Sequence, residues 1–188
     1  MLIRQSNRRR GMTVVETALV LAVFCLLMFG AFEYCRFLYT LHLTNNAARD
    51  GARYGVVNMD KPSNFDSTNY TDASNNVYQS IQAYTTQRMS GADKQITSFQ
   101  VAAYAVDPTG LTLSPPVIRP MTSSTASPPV YPNPFNQSDP NKVAWNATSF
   151  PNMVGVSIQG NYKPILPGFL FMPSSVPIYV TAIACSEG

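Results

Sequence analysis

At 188 residues the chain has room for one membrane segment and one modest domain. Only 12% of its residues are charged, and the net charge of +3 is unevenly placed: up to Val57 there are seven arginines and three acids, beyond it six lysines or arginines and seven acids. The distal part is nearly neutral, which excludes a basic nucleic-acid-binding domain, because the positive charge gathers beside an apolar segment rather than on a folded face.

Residues 1–11 form a short basic leader, with Arg4, Arg8, Arg9 and Arg10, that ends in Gly11. From Met12 to Phe32 the only charge is Glu16, five residues after the glycine. About twenty residues at about 1.5 Å each cross the roughly 30 Å hydrocarbon core of a bilayer. An ionisable group inside such a span is costly and is seldom present without a role. A cleaved secretory signal is the competing reading. It calls for an apolar region of about 7–15 residues and a small-residue cleavage site, which Gly30-Ala31-Phe32-Glu33 does not offer. The leader arginines outweigh Arg36 on the far side, so the N-terminus is expected in the cytoplasm and everything after Tyr34 outside.

The helical rhythm does not stop at the membrane edge. Glu33, Tyr34, Phe37, Leu41, Thr44, Ala48 and Ala52 keep a 3.6-residue period, and no proline intervenes before Pro62. Residues 12–57 are therefore expected to form one transmembrane and stalk helix. Gly51 and Gly55 weaken it, and it is expected to stop around Gly55–Asn58. Glu33 and Arg36, three residues apart, read as a surface pair worth tenths of a kcal/mol.

Residues 58–188 are expected to form an outer α+β domain of one helix packed on three or four antiparallel strands. Lys61 to Thr71 is polar and reads as loop. Asp72 to Ser90 places Ala73, Val77, Ile81, Tyr84 and Arg88 at helical spacing, which predicts an amphipathic helix ending at Gly91. Gln95 to Val106 alternates in part and reads as a strand, turned by Asp107-Pro108-Thr109-Gly110, with Leu111 to Ser114 as a short returning strand. Residues 115–149 are rich in Pro, Ser and Asn, with Trp145 as the one large anchor; that length marks an insertion, a binding loop or partial disorder. Val154 to Tyr162 and Val176 to Cys185 are strand-like, separated by a proline-rich turn. These periodicities predict that the outer domain folds without the stalk, driven by its own burial.

Nothing in the sequence carries catalysis or a cofactor. His42 is the only histidine, without neighbouring Cys or acidic partners, so it is neither a zinc ligand nor a catalytic base, and no metal is expected. No nucleophile elbow, phosphate-binding loop or paired carboxylates appear. Cys25, Cys35 and Cys185 make no C-x-x-C motif; unpaired small hydrophobes are the favoured reading, with a Cys35–Cys185 bridge left open in an oxidising compartment.

Three stretches together resemble a known family. Val15-Glu16-Thr17-Ala18-Leu19-Val20-Leu21, Glu33-Tyr34-Cys35-Arg36-Phe37-Leu38-Tyr39 and Asn45-Asn46-Ala47-Ala48-Arg49-Asp50-Gly51-Ala52-Arg53-Tyr54-Gly55 are similar to the signatures of TadE-like proteins. Cys35 stands where glycine is common, and Met12 where Phe or a small apolar residue is more usual. The resemblance is dense from Arg10 to Val57 and faint later. It implies a pseudopilin of the tight-adherence (Tad/Flp) pilus machinery, a relative of type IV pili, in the bacterial inner membrane. It implies a prepilin peptidase that cuts between Gly11 and Met12, and other Tad pilins or pseudopilins as partners. Glu16 would then neutralise the ammonium that cleavage leaves at Met12, in its own or a neighbouring subunit, and act as a register device. The plainer role for Glu16 is an interfacial charge snorkelling or pairing with Arg9 or Arg10. Arg49, Asp50 and Arg53 form either a solvated helix face or a partner-docking group. The function so implied is a minor pilin-like subunit, not an enzyme. The alternative is a single-pass binding module that captures a ligand or cell-wall partner through the 115–149 loop.

Overall fold

The structure, a computed structural model, describes residues 9–147, 153–168 and 173–185, with side chains from residue 13 onward. Helix α1 spans Arg9–Val57 in 49 residues without a break, a rod of about 74 Å. Thr17, Thr40 and Thr44 each return their hydroxyl to the carbonyl four residues earlier, which keeps these polar groups satisfied inside the helix. Asn58 ends it, its side-chain amide donating to the Tyr54 carbonyl at 2.8 Å.

Beyond the helix, Ser63–Asp66 forms a single 3-10 turn. Strands β1 (Tyr70–Thr71) and β2 (Val77–Tyr78) then pair as a small antiparallel hairpin. Helix α2 is limited to Ile81–Arg88, with the Ser80 hydroxyl capping it by accepting from Ala83 N. The helix expected over Asp72 to Ser90 is thus corrected: its first half is the hairpin. Asp72 accepts the amides of Ser74 and Asn76 at 2.9 and 2.8 Å, and Asn75 takes a left-handed φ of 66°. An aspartate turn of this kind closes the chain locally and overrides apolar spacing.

Three strands form the main sheet in the order β3 (Ile96–Ala105), β4 (Met153–Tyr162), β5 (Val176–Cys185), all antiparallel. Tyr162 pairs with Ile96 and Val176, and Val154 with Ala105 and Ala184. The returning strand expected at Leu111 to Ser114 is absent: Leu111 closes a single helical turn, α3 (Pro108–Leu111), capped by Asp107.

One face of the sheet, with Val101, Ala103, Val154, Val156, Ile158 and Val180, forms the core. Its cover is α1 itself, through Ala47, Ala48 and Ala52, assisted by Ile81 of α2. The core therefore crosses the expected boundary between residues 57 and 58. Gly51 and Gly55 let this region close. A Cβ at Gly51 would collide with Thr85 Oγ1, and one at Gly55 would come within 3.0 Å of Val154 Cγ1. On the opposite face Tyr104, Ser157 and Thr181 join hydroxyls across all three strands at 2.9 and 2.8 Å.

Segment 115–147 contains no named strand but is fastened to the free edge of β3 and its sequel. Asp107 N donates to Arg119 O and Met121 N to Ala105 O, while Arg119 Nε reaches Asp107 Oδ2 at 2.9 Å. Farther along, Lys142 pairs with buried Asp66 at 3.3 Å, and Trp145 is buried beside Phe65. Burial pushes the Asp107 carboxyl upward, but hydrogen bonds from Thr109 and Arg119 outweigh it and hold the group below its usual range.

Candidate functional site: the two ends of the long helix

Helix α1 passes from one environment to another at Glu33. From residue 13 to residue 32 its apolar side chains are open all round: Val14, Val15, Leu19, Val20, Phe24, Leu27 and Phe32 are all exposed. It is long and apolar enough to cross a membrane, and none of its apolar window is buried by the rest of the chain. A helix hydrophobic on every side needs an apolar surrounding that the chain itself does not supply. Glu16 is exposed on this surface and is its single charge, without a partner among the described side chains. Gly11 and Met12 belong to the helical backbone. The side chain of Met12, and leader residues 1–8, lie outside what is described.

At Glu33 burial begins, and with it a polar network that sequence reasoning treated as a surface pair. Glu33 is only 7% exposed. Its Oε1 accepts from the Tyr162 hydroxyl at 2.8 Å and from Ile165 N at 3.3 Å, with Arg36 Nη1 at 3.7 Å. Arg36 Nε donates to Gln95 Oε1 at 3.2 Å, an oxygen that also accepts from Thr40 at 3.1 Å. Phe37 packs edge-on against the Tyr162 ring at 5.3 Å. Burial and the hydrogen bond to the Glu33 carboxylate push the Tyr162 phenol up to about 12. A buried carboxylate is tolerable only when its lone pairs are met in this way. The partners are 129 and 132 residues away in sequence, so no local pattern announces them.

The same contacts fix direction. Tyr162 lies beside Glu33 and Phe37, whereas Val154, at the start of β4, lies beside Gly55. Strand β4 thus runs back along α1 toward the apolar span, and β5 runs away from it. Cys185 pairs in register with Met153 at the distal end, some twenty helical residues, about 30 Å, from the level of Cys35. This geometry closes the alternative of a Cys35–Cys185 bridge, and all three cysteines are free.

Of the possible docking residues, Arg49 and Arg53 are exposed. Asp50 is 3.9 Å from Arg88, whose guanidinium also donates to Tyr84 Oη at 2.6 Å. Tyr84 stacks on Tyr54 with centroids 4.0 Å apart. Asp50 and Arg53 line one shallow hollow with these residues, and Arg49 does not join them. Among the described residues no group of His, Cys, Asp or Glu is arranged to hold a metal ion.

Residues 11–53 match a family model described as TadE-like protein. That match covers the apolar span, the Glu33 network on α1 and the Arg49/Asp50/Arg53 group, and it associates the chain with Tad pilus systems. Searches of curated proteins and of solved structures return no match.

Proposed function

From a TadE-like helix at residues 11–53, we propose that this chain is a minor pilin or pseudopilin that takes part in assembling a Tad-type (Flp) pilus or related secretion apparatus. It is held by a single pass in the bacterial inner membrane, with its N-terminus cytoplasmic and its folded domain outside. The observation that carries the reading is the exposed apolar helix of residues 13–32 with Glu16 as its sole charge. Prepilin peptidase removes the leader between Gly11 and Met12. The new ammonium at Met12 and the Glu16 carboxylate of the same or a neighbouring subunit then neutralise one another in a low-dielectric setting. The surrounding pilins supply the apolar cover that the first half of α1 lacks, and Arg49, Asp50 and Arg53 present a charged face for docking.

A binding module working through the 115–149 loop has less support, since the loop's main anchor, Trp145, is turned into the core. N-terminal sequencing of the membrane-extracted protein tests the proposal. It should begin at Met12, and Glu16→Ala should be inserted and cleaved but fail to co-purify with the pilus partners. An intact leader, or normal co-purification of Glu16→Ala, contradicts it.

A further inference from the structure

The turn that follows β4 sits where α1 leaves its apolar span. Thr13 to Phe32 rises about 30 Å, one hydrocarbon thickness, so Glu33 lies at the outer boundary when Thr13 lies at the inner one. Ile165 is tied to that level by its own amide, which donates to Glu33 Oε1 at 3.3 Å. Yet its side chain is 67% exposed, and that of Leu166 38%. Two adjacent branched apolar side chains are thus held open beside the helix exit, between the buried ring of Pro164 and Pro167. The sequence carries no charged residue from Pro164 through Cys185.

Around this level the surroundings suit a membrane interface. Tyr34 and Tyr39 are exposed on α1, the residue type that settles at headgroup depth. Lys94 and Lys163 are also exposed and are brought together by the bond from Lys163 N to Gln95 O at 3.0 Å, a placement suited to anionic headgroups. Asp93 is the one acidic neighbour on that turn.

We propose that the Pro164–Leu166 turn is a second membrane contact, with Ile165 and Leu166 inserted into the outer leaflet beside α1. The inference rests on the membrane reading of α1. A single helix leaves a domain free to swing and rotate about its axis; a second apolar contact, fixed to the first through Glu33, sets one orientation. The sheet then stands upright on the bilayer, with Gly55 and the β1–β2 hairpin at the far end. A lipid surface is favoured over a protein groove because the exposed pair is held at the level where the apolar span ends.

The test uses the full chain in nanodiscs of phosphatidylethanolamine and phosphatidylglycerol, with its three cysteines replaced by serine. An environment-sensitive fluorophore is attached in turn at Leu166→Cys, at Phe32→Cys as the membrane reference and at Ser74→Cys as the aqueous one. Doxyl-labelled lipid should quench position 166 several-fold more strongly than position 74, with a blue-shifted emission close to that of position 32. If position 32 is quenched while 166 behaves like 74, the turn stays in water and the inference falls while the anchor stands. A blue shift at 166 without quenching means a protein contact and also overturns it. If position 32 is itself unquenched, the membrane reading of α1 fails and takes the inference with it.

Discussion

The two halves of α1 share one unbroken backbone and differ in everything that decides what surrounds them. Residues 13–32 are apolar on all sides and none of their apolar window is buried among the described residues, whereas residues 33–57 bury one stripe of small side chains and expose Arg49 and Arg53. The first half has no cover among the described residues and is stable only in an apolar medium or among neighbouring subunits. The second half is completed by its own sheet. Side-chain size marks the change as clearly as polarity does: Leu, Val and Phe crowd the first half, while Ala47, Ala48, Gly51, Ala52 and Gly55 form the stripe of the second.

Removing the second half should have the largest effect. A chain beginning at residue 58 loses Phe37, Leu41, Leu43, Tyr54 and Val56 together with the alanine stripe. Even half-buried, those five contribute on the order of 5 kcal/mol, comparable with the entire net stability of a small domain, about 5–15 kcal/mol. Against the expectation from periodicity alone, residues 58–188 should show no cooperative thermal transition by circular dichroism, whereas a chain starting near Phe32 should. A cooperative melt of the shorter chain would mean that the sheet does not need its helix.

Next in size is the close approach at Gly51. Gly51→Val pushes side-chain atoms into Thr85 and should cost about 2–3 kcal/mol in denaturant unfolding. Thr85→Ala in the same chain should recover part of that loss, since the two positions touch. Equal losses with and without the second change would place the cause elsewhere.

Tyr162→Phe removes the hydroxyl that meets the buried Glu33 carboxylate and should cost about 1.5–3 kcal/mol. Its pH dependence follows from a phenol raised from 10.0 to about 12. The folded state holds that proton more tightly than the unfolded chain does, so the contribution is complete below pH 10 and is lost as pH rises toward 12. Unfolding curves of wild type and variant should converge across that window. A gap that stays constant would show that the bond to Glu33 is not its source. Smallest of all should be Leu27→Ala in the first half, which leaves the domain's stability unchanged within about 0.5 kcal/mol, because Leu27 is 59% exposed and is not among the described residues that form or pack on the core.

Much of this comparison was legible in the residues. The long helix announced itself because no proline interrupts it before Pro62, and β5 runs over the residues read as strand-like. The first half of the expected second helix was lost to Asp72 and Asn75, whose local turn chemistry outweighs the spacing of Val77 and Ile81. The helix stops at Val57, within the Gly55–Asn58 stretch expected from the glycines, but the close approach at Gly51 and Gly55 was hidden for a different reason: a glycine's effect on helix propensity is visible in one dimension, and the neighbour it admits is not. The Glu33 network was out of reach for the same cause, since Tyr162, Ile165 and Gln95 meet it only through the sheet.

The central claim, one helix with two surroundings that change at Glu33, is tested most directly by single-cysteine labelling along α1 in native membranes with a water-soluble maleimide. Positions 14–32 should be protected on every side of the helix. From residue 36 onward reactivity should follow a helical period, high at His42, Arg49 and Arg53 and low at Ala48 and Ala52, which are fully buried. A helical period that continues unbroken through residues 14–32, or labelling at all of those positions, would contradict the account.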